Sequence, residues 1–254
     1  MLEFIQSVYL LTLKGKDVPM LKKKYSDMFG DDRLHILEAE GTPKNSNSGN
    51  LTTGFFKILR HDAVDDTALD ITRNHLHMIK EMYTKGVATC LFLEDDAEFE
   101  EFPIHAQISV RDWMKRSHWD IFYLGYCPWP ILFSLLTTRR IVRVYTPLTT
   151  HAYILSRSGM EKVLEYTKKN GTHTLHIDKL FSKIPSFRRF ALFPMVSFQN
   201  QDPALYTKAC DYLGVRFSFK TLSRILERVS VLIPFLLIFC ICFLCWRLLP
   251  THGK

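Results

Sequence analysis

Leu93-Glu94-Asp95-Asp96 sets three consecutive carboxylates directly behind an uncharged run, Val87-Ala88-Thr89-Cys90-Leu91-Phe92-Leu93. Adjacent negative charges repel one another, and at the end of a buried strand they also lose water unless a cation neutralises them. A hard divalent ion does this well. Mg2+ and Mn2+ prefer oxygen ligands and bind through one or two carboxylates together with substrate phosphates. In an extended chain Glu94 and Asp96 point one way and Asp95 the other. Asp95 is then free to hold a backbone turn or a ribose. A solvated surface turn is the plain alternative for all three.

These residues need a frame to position them. Ser7–Leu13 is an apolar, partly β-branched run that predicts a buried strand. Asp17 is a candidate cap for a helix with Met20, Leu21, Tyr25 and Met28 at helical spacing, stopped by Gly30. Leu34-His35-Ile36-Leu37 predicts a second strand, and Gly41 to Gly54 a polar loop. A helix follows over Ile71 to Met82, ended near Gly86, and then the strand that carries the acidic triplet. The alternation predicts right-handed crossovers and a largely parallel α/β sheet, in which ligands bind beyond the carboxyl ends of the strands. Trp119–Gly125 and Ala152–Leu155 predict further strands. Ser158-Gly159 leads into a helix bearing Met160, Val163, Leu164 and Tyr166.

The order of these segments resembles glycosyltransferase family 25, the lipopolysaccharide-type and collagen-type galactosyltransferases. The likeness rests on Tyr9-Leu10-Leu11-Thr12-Leu13, Ala63-Val64-Asp65-Asp66, Asn74-His75 and Leu93-Glu94-Asp95-Asp96. It continues with Trp119-Asp120 and Leu124-Gly125, Ala152-Tyr153-Ile154-Leu155-Ser156 with Gly159, and Ile177-Asp178. What the resemblance implies is a GT-A-like (Rossmann-like) fold, a uridine-diphosphate sugar donor, a divalent metal (Mn2+ or Mg2+) and inversion at the anomeric carbon. By the same match Glu94 and Asp96 become metal or diphosphate ligands. Thr12, Lys14, His75 and Asp95 become donor-pocket candidates. Inversion needs a base for the acceptor hydroxyl, and Asp178 is the candidate, with a helix N-cap as its alternative role. The sequence departs from the family at Thr12 and Lys14, where Asn and Arg are usual, and at Asp66 and Asn74, where Gly and Ser are. A non-catalytic, membrane-tethered sugar-nucleotide or glycan binder is therefore the second reading. His77 carries no signal and is expected to face solvent.

Val229 to Trp246 is eighteen residues without a charge, which as a helix spans roughly 27 Å, close to a bilayer's hydrocarbon thickness. The expected organisation is a catalytic domain over 1–215, a basic juxtamembrane segment over 216–228, a membrane helix over 229–249 and a short tail over 250–254. Arg216, Lys220, Arg224 and Arg228 precede the apolar stretch, and Arg247 and Lys254 follow it. With no signal-peptide pattern at the start, this bias predicts a tail-anchored protein whose domain faces the cytosol. The sequons at Asn50 and Asn170 are then unused. The net charge of +7 suits an anionic partner such as a nucleotide diphosphate or a membrane surface. Its cations fall in short clusters, and no nucleic-acid-binding signature is present. Six cysteines, three of them in the apolar tail, form neither a disulfide framework nor a zinc pattern, as suits a reducing compartment. A glycan, lipid or protein is the expected acceptor.

Overall fold

The computed structural model describes residues 2–40, 66–128, 134–171, 176–200 and 218–248. The polar loop from Gly41, the turn at Ala63-Val64-Asp65 and the sequon residue Asn50 lie outside the described residues.

Strands β1 (Ser7–Leu13), β2 (Leu34–Ala39) and β3 (Thr89–Glu94) alternate with helices α1 (Val18–Phe29) and α2 (Asp66–Thr84). Then come β4 (Ala97–Phe99), α3 (Ile104–Arg116), β5 (Ile121–Tyr123), β6 (Cys127–Pro128), β7 (Ser134–Leu136), β8 (Ile141–Val144), β9 (Pro147–Leu148) and β10 (Ala152–Ser156). The chain continues through α4 (Arg157–Asn170), α5 (Ile177–Lys183), β11 (Arg189–Leu192), β12 (Ser197–Gln199) and α6 (Phe219–Leu248).

Eight strands form the main sheet in the order β2-β1-β3-β10-β5-β11-β8-β7. The first three are mutually parallel, as expected, and six of the eight share one direction. The exceptions are β8 and β10. The latter runs antiparallel between β3 and β5, with Ala152 opposite Leu93 and Ser156 opposite Thr89. Its amino end therefore lies beside the carboxyl end of β3.

Side chains alternate across the sheet. Tyr9, Leu11, Cys90, Phe92, Tyr123 and Tyr153 face a layer formed by α2, α4 and α5, while Val8, Leu10, Leu91, Leu93 and Ile154 face α1 and α3. The result is a three-layer α/β/α sandwich. Asp17 caps α1 by accepting from the Met20 amide at 3.0 Å, and Gly30, at φ 94°, ends it. Met20, placed by its spacing on the apolar face, is exposed; Phe29 is buried in that layer instead.

Residues 219–228 of the expected juxtamembrane segment and the apolar stretch Val229 to Trp246 fall on one helix, α6, of 30 residues. Its first half is part of the folded domain. Ser223, Glu227, Ser230 and Val231 are buried, the Glu227 carboxylate accepts from the Met195 amide at 2.7 Å, and Lys220 and Arg224 both pair with Glu100. Arg224 and Lys220 thus hold the helix to the domain as ion-pair partners. Beyond Pro234 the described side chains are exposed. Among the described residues no helix is long and apolar enough to cross a membrane.

Candidate active site

The acidic triplet stands where β3 gives way to the turn before β4, and its three carboxylates meet three different environments. Glu94 turns to the α2 side. Its Oε1 accepts from His75 Nε2 at 3.2 Å and from Thr150 Oγ1 at 3.0 Å. Because that carboxylate can only accept, His75 donates from Nε2, and its Nδ1 lies 2.8 Å from the Tyr153 hydroxyl. Burial pushes the Glu94 pKa up, but His75, His151 and Thr150 outweigh it and hold the group below its ordinary value. Glu94 is a charge fixed in place. His75 is fully buried on α2, bridging Glu94 to the sheet, and so reaches any donor through Glu94.

Asp95 turns the other way, as alternation requires. Its Oδ2 accepts from Thr12 Oγ1 at 2.8 Å and from the Leu13 amide at 3.3 Å, which staples the end of β1 to the end of β3. Thr12 is buried beneath it. Thr12 and Asp95, both expected in the donor pocket, are thus hydrogen-bonded to each other across β1 and β3. Lys14 is exposed and pairs with Glu40 at 3.0 Å, a solvent-screened contact. His77 is exposed beside Glu81.

Asp96 differs from both. Its Oδ2 has one long contact, from Gln199 Nε2 at 3.4 Å, and its buried Oδ1 has no hydrogen-bond partner among the described residues. Burial, then the charges of Glu94 and Asp95, push its pKa up to about 7. Native proteins leave few buried acceptors orphaned, so each one calls for a cause. The small β4–β12 sheet brings Gln199 here: Ala97 pairs with Gln199, and the Asn200 amide donates to the Asp96 carbonyl at 2.8 Å. Gln199 Oε1, Ser197 Oγ, Thr149 Oγ1 and both ring nitrogens of His151 are likewise buried without a hydrogen-bond partner among the described residues. Burial lowers the His151 pKa, against the opposing pull of the Glu94 charge.

Three of these groups come from the segment entering β10. Thr149 has φ 72°, a left-handed conformation that is strained for a β-branched residue and tends to occur where function demands it. Its amide donates to Asp178 Oδ2 at 3.3 Å, while the next residue, Thr150, donates to Glu94. Asp178 and Glu94 therefore lie on either side of a two-residue segment. Asp178 is buried in the first turn of α5, where its Oδ1 accepts from the Lys179 amide at 2.6 Å. The N-cap of that helix is His176, so Asp178 complements the helix dipole from inside the first turn instead of capping it. Gly125 makes the close packing possible: a Cβ there would collide with the Ser197 carbonyl and the His151 ring.

Among the described residues no three His, Cys, Asp or Glu side chains gather closely enough to hold a metal by themselves. A site completed by substrate phosphates needs only one or two carboxylates. Asp96, with an orphaned oxygen beside two further negative charges, fits such a site. Glu94, with Oε1 already holding two donors, fits as a neighbouring charge better than as a full ligand.

The expected strand and triplet are where the sequence placed them. Thr149, Thr150, His151 and Gln199 were missed. The polar run Thr149-Thr150-His151 before an apolar strand was their only signal, and it becomes meaningful once β10 is known to be antiparallel.

No protein-family model matches the chain, and no curated protein matches it. Among solved structures it is similar to A197 from STIV, at TM-score 0.40 and 15% identity over 77% of this chain and 86% of that chain. It is similar also to a glycosyltransferase involved in the glycosylation of the major capsid of PBCV-1, at TM-score 0.37 and 8% identity, covering 82% and 100% of the two chains. A UDP-glucose pyrophosphorylase complexed with UDP-glucose gives TM-score 0.41 and 8% identity, covering 82% and 98%.

Proposed function

We propose that this chain transfers a hexose, such as galactose or glucose, from a uridine-diphosphate sugar to a hydroxyl of a glycan, lipid or protein, with inversion at the anomeric carbon. The observation that carries the reading is the orphaned, buried Asp96 oxygen at the carboxyl end of β3, flanked by the charges of Glu94 and Asp95. In this reading Asp96 holds Mg2+ or Mn2+ together with the donor diphosphate, and Glu94, oriented by His75 and Thr150, supplies fixed negative charge beside it. The ion's chemistry, when bound, is to offset the charge developing on the departing diphosphate. Asp178, across the Thr149-Thr150 segment from Glu94, takes the acceptor proton as the new bond forms.

The test is release of uridine diphosphate from UDP-galactose and UDP-glucose, with and without Mn2+. Metal-dependent release is expected. Thermal stabilisation by a donor without turnover would favour the non-catalytic binder. Neither stabilisation nor turnover with any donor would overturn both readings.

The proposal extends to a membrane. Phe235, Leu236, Leu237, Ile238, Phe239 and Ile241 are exposed on the distal half of α6, and their contact with a bilayer would attach the domain with its face to the cytosol. A chain cut after Pro234 keeps the buried residues of α6 among those described and is expected to stay folded, active and soluble; a cut after Arg228 removes Ser230 and Val231 and is expected to lose stability. In sealed microsomes, added protease should digest the domain. Protection together with a glycan on Asn50 or Asn170 would reverse the orientation.

A further inference from the structure

A cavity of about 330 Å³ opens at the end of the sheet opposite the acidic triplet. Thr89, at the start of β3, lies in its wall, whereas Glu94 ends that strand. Five steps of about 3.3 Å along the strand put the two places roughly 16 Å apart. The cavity is therefore separate from the candidate active site.

Its lining is cationic. Arg111 and Lys115 reach it from α3, His118 from the loop before β5, and Arg188 from the residue before β11. No Asp or Glu lines it. The nearest buried carboxylate, Asp120, is turned inward and held by Lys162 at 2.8 Å as well as by Arg188 at 3.3 Å, so one negative charge faces two positive ones. Arg111 has a neighbour in Asp112, at 3.0 Å, but both are substantially exposed and screened. Lys115 and His118 have no hydrogen-bond or ion-pair partner among the described residues. Such an array costs free energy through self-repulsion, which an anion relieves. Arg188 already gives Nε and Nη2 to Asp120, at 3.3 and 3.4 Å, so it adds charge while Lys115 and the outer nitrogens of Arg111 offer N–H donors to phosphate oxygens.

The rest of the wall is apolar. Met114 and Trp119 are buried, and the Trp119 indole is pinned by donating Nε1–H to the Met114 carbonyl at 3.1 Å. Phe4 adds a further ring. A bare inorganic ion would leave this surface wet. The volume falls at the lower end of the range for small-molecule pockets.

We propose that this cavity is a second binding site, for a small organic phosphate whose phosphoryl group sits among Arg111, Lys115 and Arg188 and whose apolar body lies on Trp119. The site needs no divalent ion.

Titration calorimetry of the full chain in EDTA, with phenyl phosphate and with inorganic phosphate, tests it. Phenyl phosphate should bind, and more tightly than inorganic phosphate. Lys115→Glu and His118→Glu alter exposed side chains and should leave the melting temperature unchanged. Losing one charge-assisted hydrogen bond should weaken phenyl phosphate about tenfold or more in Lys115→Glu. Asp96→Asn should bind it as wild type does, which keeps this test independent of the transferase reading. Absence of binding, affinity insensitive to Lys115→Glu, or equal affinity for the two probes would overturn the proposal.

Discussion

Asp96 and Asp120 are both covered carboxylates at strand ends, yet their surroundings are opposite. Asp120, just before β5, accepts from Ser158 Oγ at 2.9 Å, from Lys162 Nζ at 2.8 Å, and from the Arg188 amide at 2.8 Å. Burial alone would raise its pKa, but those bonds and charges win and lower it. Gly159 lets α4 press against it, since a Cβ there would strike the Asp120 main chain. Asp96 has one contact at 3.4 Å, an orphaned oxygen and a pKa pushed up to about 7. A fold that satisfies one carboxylate this fully can satisfy carboxylates. The shortfall at Asp96 therefore calls for a partner that the chain does not itself supply, and a cation with a diphosphate is the partner proposed.

The sharpest way to break that comparison is to exchange the consequences. Asp96→Ala should lower sugar transfer by roughly 10²–10³-fold, the usual loss when one electrostatic contact to a leaving group is removed. Its metal-free fold should be as stable as wild type or more so. Asp120→Ala should do the reverse: stability falls by about 3 kcal/mol in urea unfolding, because Lys162 and Arg188 lose the carboxylate they were built around. Transfer per folded molecule should hardly change. An Asp96→Ala enzyme working at wild-type rate, or an Asp120→Ala domain as stable as wild type, would dissolve the distinction.

Asp178 lies between these extremes, with both oxygens in hydrogen bonds and a place across the Thr149-Thr150 segment from Glu94. If it is the base, Asp178→Asn should cut kcat about 10²-fold while donor affinity is kept, because only the transition state needs the proton acceptor. Equal losses in donor affinity would make it a donor contact, and no change in either would leave it a stabilising residue of the α5 first turn.

The same contrast explains how much of the molecule could be read from its sequence. The first three strands and two helices were legible because apolar runs and helical spacing alternate there, and the acidic triplet marked the right edge. Of the later strands, β5 and β10 were legible too, within Trp119–Gly125 and at Ala152–Leu155, whereas β11 and β12 were not. The last two are only three or four residues long, and α3 follows Pro103 without a side-chain cap. Strand direction was the larger gap. An all-parallel sheet would leave Thr149-Thr150-His151 at the far end, whereas antiparallel β10 delivers them to Glu94. Trp119-Asp120 was read as part of a family pattern, and its structure gives Asp120 a stabilising role in ion pairs and hydrogen bonds.

The smallest expected effect is on thermal stability, and its sign separates the two carboxylates. The folded pKa of Asp120 lies below its ordinary 3.8, so its contribution is present above that pH and is lost as pH falls through the folded value. For Asp96 the folded pKa, about 7, lies above 3.8. Its contribution is present below pH 3.8 and is lost as pH rises towards 7, where the folded state must carry an uncompensated charge. Glu227, also pushed up to about 7 by burial, weakens the protein over an overlapping window, so wild type alone cannot isolate Asp96. The difference between wild type and Asp96→Asn can, because Glu227 is common to both. Without metal that difference should be near zero at pH 4 and grow in favour of Asp96→Asn by pH 8. Adding Mn2+ with uridine diphosphate should then raise the melting temperature of wild type and leave Asp96→Asn where it was. A difference that stays flat with pH would mean that the Asp96 oxygen is already satisfied, and the cation would lose its reason to bind there.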